Sequence, residues 1–428
     1  MGAKTMNSFS RHTLIAALDI GSSKVCCVIA RVNGRDKKIS IVGYGYNAAK
    51  GIQNGVITNF NQATYSICDA LEAAEQMANE RVERVIVNIS SSKTKSVIKR
   101  ASIPLNKTKP VTEIEAKKAK DKATYKLNIE DNELIHCLTT GYRLDFGEEI
   151  SDPRNMYGEN LSADVLLGMV PAITYRNTQT VLDNAHLEIA GKVLSPYASG
   201  LACLVEDEKE LGATIIDIGG GTTSIATFMH GHPVYFSSIG VGGDNVTKDI
   251  AWGLTTSFAH AERLKTLHGC AFLNSQDANE TINVYPVGEE DDSLIKYIPK
   301  SNLIEIIAPR VEEIFELVNQ KLDEAGLKEV NSHRIVLTGG GSQLLGIREV
   351  ASLILDKQVR LGRPRNIGNT LDISEFEVLQ YPSFSTVIGL LLFVLNHPEI
   401  KPTKIISKPV NPDGSRFSKI LSWLKNNF

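Results

Sequence analysis

Thr214–His230 reads TIIDIGGGTTSIATFMH. An apolar run ends in Asp217 and Ile218. The glycines Gly219, Gly220 and Gly221 follow, then Thr222 and Thr223, then a second apolar run. The pattern predicts a β-hairpin whose turn carries almost no side chain. Backbone N–H groups in such a turn can approach a ligand closely and together form a nest for an anion. The threonine hydroxyls add donors. Asp217 would repel a bare phosphate, so its position beside the nest points to a divalent cation between them. The stretch fits a cradle for a triphosphate with Mg2+. It also fits a tight hairpin whose glycines serve turn geometry alone.

The same device occurs earlier in the chain. Leu14–Leu18 is a short apolar strand that leads into Asp19-Ile20-Gly21-Ser22-Ser23-Lys24 and then a second strand, Val25–Ala30. The copies share Asp-Ile-Gly, small residues and a following apolar strand, with Asp19 and Asp217 198 residues apart. A unit used twice at that distance indicates a duplicated domain with two facing hairpins. A third glycine turn, Thr338-Gly339-Gly340-Gly341-Ser342, ends the strand Arg334–Leu337 and precedes a helix expected over Leu344–Leu355. Glycines at a strand–helix junction admit a flat or anionic ligand and place a helix N-terminus beside it.

The chain's 428 residues predict two or more domains with substantial cores. With 42% hydrophobic residues, 22% charged residues and a formal net charge of −3, the composition is that of a soluble globular protein, with no bias toward nucleic acid. Six cysteines without CxxC spacing indicate neither a zinc site nor a disulfide framework, which fits a reducing cytoplasm. The N-terminal stretch lacks the apolar core of a signal peptide. The longest apolar run, Val387–Leu395, is too short to cross a bilayer as a helix and reads as a buried helix.

Asn61–Met77 has helical apolar spacing. Residues 85–162 differ from their surroundings and hold no nucleotide motif, so they read as an inserted interaction domain, with an elaborated continuation of the first domain as the alternative. Within them Thr112–Lys126 is a charged helix, with Thr112 and Glu115 in capping-box spacing. Leu134–Leu138 and Gly141–Leu144 read as short strands, and Pro196–Val205 as a small-residue helix. Residues 271–302 are polar and acidic and read as part of a small peripheral subdomain. Leu303–Ala325 is a long amphipathic helix stopped at Gly326.

The C-terminal end is distinct. Residues 398–415 carry four prolines and form a linker. In RFSKILSWLKNNF, Phe417, Ile420, Leu421, Leu424 and Phe428 share one helical face, and Trp423 borders it. Lys419 and Lys425 lie elsewhere. From Lys401 to Phe428 the local charge is +5, which leaves −8 for the rest. A basic amphipathic helix bearing Trp and Phe on a proline linker suits a membrane interface. A helix docked in a partner groove, or folded back on its own body, is the alternative.

Together the hairpins at Asp19–Val25 and Asp217–Ala226 and the turn at Gly339–Ser342 resemble the phosphate and adenosine motifs of the ATPase superfamily of actin, heat-shock chaperones and sugar kinases. Within it the chain resembles the FtsA family of bacterial cell division. The resemblance is carried by Val85–Ser92, Ile135–Leu138, Ala198–Ala202, Glu206–Gly212, Ala261–Lys265, His268–Ala271, Ile335–Gln343 and the basic tail.

The resemblance implies an α/β, actin-like (ribonuclease H-like) two-lobed ATPase fold with an inserted α+β domain and a C-terminal amphipathic helix. The first half would comprise residues 12–84, 163–195 and 358–397, and the insert 85–162. The second half would comprise 196–245 and 307–357, with a small subdomain at 246–306. ATP and Mg2+ would lie in the cleft. Gly21, Ser22 and Ser23 would hold phosphates from one side, with Lys24 adding charge if it points into the cleft and otherwise solvated, and Gly219, Gly220, Gly221, Thr222 and Thr223 would hold them from the other. Asp19 and Asp217 would act on Mg2+. Glu262 and Lys265 would meet ribose and adenine, unless they form a surface ion pair. Gly340, Gly341 and Ser342 would line the adenosine pocket. Related ATPases orient the attacking water with a Glu or Gln before the second hairpin's domain. The matching Leu194–Ala198 has no such side chain. The implied partners are the C-terminal tail of FtsZ, further copies of the chain, later division proteins and inner-membrane lipids. The competing readings are an actin-like pilus-assembly ATPase and a superfamily sugar kinase or polyphosphatase.

Overall fold

A computed structural model describes residues 13–33, 38–125, 129, 131–145, 147–272, 279–288, 295–327, 334–366, 370–397 and 400. The tail residues Phe417, Lys419, Ile420, Leu421, Trp423, Leu424, Lys425 and Phe428 lie outside them. No helix among the described residues is long and apolar enough to cross a membrane.

Two five-stranded sheets form two lobes. In the first, the strands run in the order Glu188–Leu194, Arg84–Ile89, Thr13–Ile20, Lys24–Val32, Ile39–Ala48. In the second the order is His232–Ile239, Thr223–Met229, Ala213–Ile218, Arg334–Thr338, Gln358–Leu361. Thr13–Ile20 and Ala213–Ile218 are buried at every position, because each is a central strand with covered faces.

The hairpins are the same object built twice. Ile20 pairs with Val25 and Asp19 with Cys26, just as Ile218 pairs with Thr223 and Asp217 with Ser224. Each turn is closed by one bond, Gly21 N–H to the Lys24 carbonyl at 3.0 Å and Gly219 N–H to the Thr222 carbonyl at 2.9 Å.

Two helices cross between the lobes. Ser195–Cys203 leaves the first sheet and packs on the second lobe's Ala213–Ile218 and Thr223–Met229. Ser385–Asn396, the expected buried apolar helix, packs on Thr13–Ile20 and Arg84–Ile89 of the first lobe. They cross at Gly389, where an added Cβ would overlap the Ala198 carbonyl.

The insert's sheet runs Lys95–Pro104, Asn160–Pro171, Asn132–Leu144, Glu149–Ile150. Its boundaries differ from 85–162. Arg84–Ile89 pairs with Thr13–Ile20 and Glu188–Leu194, so it belongs to the first lobe. Asn160–Pro171 pairs on both sides with insert strands, so the insert's sheet extends to Pro171. The two short strands expected over 134–144 are one strand, Asn132–Leu144. The helix Glu113–Thr124 is capped by Thr112 and Glu115 as expected. It packs through Ala116, Ala119 and Ala123, which explains how so charged a helix is held.

His136 joins the insert to both lobes. Its Nε2 accepts the Leu194 N–H at 3.0 Å, and its ring meets Tyr197, Phe236 and Phe393. Burial pushes its pKa down to about 3, so it is a neutral core histidine.

The small subdomain holds the helices Gly243–Gly253 and Phe258–His268 and a hairpin of Thr281–Val284 with Lys296–Pro299. The long helix Lys300–Glu324 buries one apolar stripe beneath it. The helix expected from Leu344 starts at Ile347, after a 3-10 turn at Gly340–Gln343 and a left-handed Gly346. The third glycine turn therefore has no α-helix N-terminus directly beside it.

The crossing makes a direct prediction. Gly389→Ala forces the two helices apart and costs about 1–3 kcal/mol. Thermal unfolding of the purified variant will show a lowered midpoint. An unchanged midpoint would mean that the helices do not touch at this point.

Candidate functional site

The three glycine turns line one cavity of about 700 Å3. The tips of the two hairpins face each other. A Cβ added at Gly220 would come 2.8 Å from the Ser23 Cβ, and one at Gly221 would come 2.8 Å from the Ser22 Oγ. The N–H groups of Ser22, Ser23, Gly220 and Gly221 make no hydrogen bond among the described residues. They are donors without acceptors at the meeting point of two lobes, the arrangement an anion completes.

Asp19 and Asp217 stand behind these donors, both buried. Burial raises the Asp19 pKa to about 7, with Lys24 opposing the shift and Asp217 adding to it. Burial also raises the Asp217 pKa, while hydrogen bonds from Ser199 (2.5 Å) and Thr386 (3.1 Å) hold it down. Two carboxylates kept out of water need a cation or a proton. No cluster of three or more metal-ligating side chains occurs among the described residues. An ion here would complete its shell with water and ligand oxygens, which suits Mg2+.

The structure distributes the other expected residues unevenly. Gly21, Ser22, Ser23, Lys24, Gly219, Gly220, Gly221, Thr222, Glu262, Lys265, Gly340 and Gly341 all line the cavity. Thr223 and Ser342 do not. Thr222 stays in the turn and lines the cavity, while Thr223 is the first residue of the strand Thr223–Met229 and turns inward. Thr223 is fully buried and donates to the Val241 carbonyl at 2.9 Å. Ser342 turns back to its own loop and donates to the Gly339 carbonyl at 2.8 Å. Lys24 lines the cavity, but its ammonium donates to the Ser383 carbonyl at 2.6 Å.

Glu262 and Lys265 are more than a surface pair. Lys265 Nζ donates to Glu262 at 2.7 Å, to Thr247 Oγ1 at 2.8 Å and to the Gly243 carbonyl at 3.1 Å. This network ties the helix Phe258–His268 to the start of Gly243–Gly253. Val311, Ile314, Leu344 and Ile347 supply an apolar wall nearby, the kind of surface a flat ring covers. Gly339, at φ +84°, lies so close to Asp217 that an added Cβ would overlap its carboxylate. The residues fit a nucleoside triphosphate with a divalent cation: unmet N–H donors, paired carboxylates and an apolar wall.

Sequence reasoning missed Asn88, Ser90, Asp244 and the Pro382–Thr386 stretch, all at or beside the cleft. Asn88 accepts the Ile20 N–H at 2.7 Å and donates to Ser195 Oγ at 3.1 Å, and Ser90 reaches Thr222 Oγ1 at 3.4 Å. Their roles come from folding partners distant in sequence; the local signal for Asn88 and Ser90 is their place in Val85–Ser92, one of the stretches that carry the family resemblance.

The Asp19 shift has a sign that can be tested. Between about pH 4 and 7 the unfolded chain has lost this proton and the folded, ligand-free chain retains it. Stability therefore falls as pH rises through this window, and the full cost is present above pH 7. Asp19→Asn removes the cost. In EDTA without nucleotide, the variant's gain over the native chain will be largest at pH 8, on the order of a few kcal/mol, and smallest at pH 5. A gain independent of pH would contradict the assignment.

The family model of the cell division protein FtsA matches residues 214–389, and that of the SHS2 domain inserted in FtsA matches residues 91–168. The FtsA protein of Agrobacterium fabrum is 36% identical over 98% of this chain and 96% of its own length. That of Neisseria meningitidis is 33% identical over 97% and 98%, and that of Escherichia coli 28% over 97% and 98%. Among solved structures, a PilM–PilN type IV pilus biogenesis complex aligns with a TM-score of 0.60 at 17% identity, over 89% of this chain and 98% of that one. MreB5 of Spiroplasma citri bound to ADP aligns with a TM-score of 0.51 at 15% identity, over 90% and 97%. These two likenesses are of fold, and the fold is actin-like. Duplicated hairpins, an insert matched by its own family model and identity along nearly the whole length agree: the chain belongs to the FtsA family of cell division proteins.

Proposed function

We propose that this chain is an ATP-binding adaptor that tethers FtsZ filaments to the inner membrane at the division site. The observation that carries the nucleotide part is the set of unmet N–H groups shared between two facing turns, with Asp19 and Asp217 behind them. On this reading Gly21, Ser22, Ser23 and the Gly219–Thr222 turn hold the β- and γ-phosphates. Asp19 and Asp217 act on Mg2+ through its waters. Glu262 and Lys265 face the ribose and adenine, and Gly340 and Gly341 the base. ATP with Mg2+ supplies a charged bridge between two lobes that otherwise present donors and carboxylates to each other. The ADP in the structure of MreB5 supports a nucleotide in a fold of this kind.

The site is suited to holding ATP more than to cleaving it. Hydrolysis needs a group that orients water. Leu194–Ala198 lacks a carboxylate or amide, and the nearby Asn88 amide is already bonded to Ile20 and Ser195. Slow turnover would make ATP a switch for assembly of the chain with its own copies.

The tail would complete the adaptor. Phe417, Ile420, Leu421, Trp423, Leu424 and Phe428 would enter the interface while Lys419 and Lys425 meet anionic headgroups. One short helix binds weakly, so attachment needs several copies acting together. The FtsZ tail would dock on the small subdomain at 246–306, and later division proteins on the insert. The proposed location is peripheral, on the cytoplasmic face of the inner membrane. The apolar tail face favours this reading over the sugar-kinase and pilus-assembly alternatives.

Flotation with anionic vesicles tests it. With ATP and Mg2+ present, the intact chain will float and carry a fluorescent FtsZ-tail peptide with it. A chain ending at Asn411 will stay at the bottom and still bind the peptide, and Trp423→Glu will behave like the truncation. Equal flotation of all three, or of none, would contradict the tether. Phosphate release at the rate of a metabolic kinase in the same samples would contradict the switch.

A further inference from the structure

Lys24 closes the first hairpin turn, where a positive charge has an obvious use toward phosphate. Its ammonium is committed elsewhere. Nζ donates to the Ser383 carbonyl at 2.6 Å and lies 3.2 Å from the centroid of the Phe384 ring. An ammonium on a carbonyl is a charge-assisted bond, and its seat over the ring adds a cation–π attraction.

The turn that Lys24 grips is joined to the rest of the cleft. The Pro382 carbonyl accepts the Gly339 N–H at 3.3 Å and the Thr338 hydroxyl at 3.4 Å. Ser385 Oγ lies 2.7 Å from the same hydroxyl, and Thr386 Oγ1 donates to Asp217 at 3.1 Å. Five consecutive residues thus touch the first hairpin through Lys24, the second through Asp217 and the third glycine turn through Gly339. They also open the helix Ser385–Asn396, which crosses Ser195–Cys203 at Gly389.

We propose that Lys24 is a positioning residue: through the Pro382–Phe384 turn it fixes the third glycine turn relative to the phosphate hairpins. The inference rests on the nucleotide reading above. It assigns to Lys24 a role in assembling the pocket before any ligand arrives. A side chain that only touches phosphate would have no effect on the third turn in the free protein.

The test uses the full chain with Lys24→Met, which keeps the stem and removes the ammonium, Phe384→Leu, and the double variant. Two quantities are read: hydrogen exchange of a peptide covering 338–343 in the nucleotide-free protein, and ATP affinity with Mg2+ by calorimetry. Lys24→Met will speed exchange at 338–343 and weaken ATP binding about tenfold, as loss of a charged hydrogen bond does. Phe384→Leu will shift both in the same direction. The double variant will bind ATP no more weakly than the worse single one, because both act through one turn. Unchanged exchange at 338–343 in Lys24→Met overturns the inference, whatever happens to affinity, and so do additive losses. If Lys24→Met does not fold, Phe384→Leu carries the exchange measurement alone, and unchanged exchange there is equally decisive. Failure of the native chain to bind ATP would strike the nucleotide reading itself, while the exchange data would still judge the link from Lys24 to Gly339.

Discussion

Four backbone N–H groups, at Ser22, Ser23, Gly220 and Gly221, have no acceptor among the described residues, and two buried carboxylates stand behind them. Donors turned into an open cleft are met by water until an anion displaces it. Buried carboxylates carry the opposite demand, for a cation or a proton. One ligand class satisfies both, a polyphosphate with a divalent cation. The rest of the molecule is arranged so that these groups meet. Each sheet extends one hairpin into the cleft with the same pairing register, and the two crossing helices set the distance between the sheets.

The energetic logic separates stability from function. The lobes are held by ordinary burial: apolar central strands, the helix Ser385–Asn396 and the aromatic group around His136. A well-packed core of this kind can carry a strained centre. Asp19 is where the cost lies, since burial raises its pKa to about 7. The helix crossing at Gly389 admits no side chain, so any change in the angle between lobes must repack that contact. A switch needs such a junction, because packed interfaces move between discrete arrangements and do not deform smoothly.

What the sequence made legible was local. Asp19 and Asp217 with their glycines, the third glycine turn, the Thr112–Glu115 cap and the buried Val387–Leu395 run all depend on neighbours within a few residues. What it hid depends on partners far along the chain. Arg84–Ile89 looks like the start of an insert until its pairing with Thr13–Ile20 places it in the first sheet. Thr223 and Thr222 look alike as donors, and what separates them is a distant partner, the Val241 carbonyl that takes the Thr223 hydroxyl. The destination of Lys24 lies 359 residues away at Ser383. No property of Pro382–Thr386 taken alone announces a strut. The C-terminal tail is the reverse case. Its amphipathic pattern is plain in the sequence, and it falls outside the described residues.

On the proposed function, both lobes close on one triphosphate through these four amides. Residue-resolved hydrogen exchange of Ser22, Ser23, Gly220 and Gly221, with and without ATP and Mg2+, addresses it most directly. The account predicts that all four slow together when ATP and Mg2+ are both present. Protection confined to one hairpin, or absent from both, would contradict it.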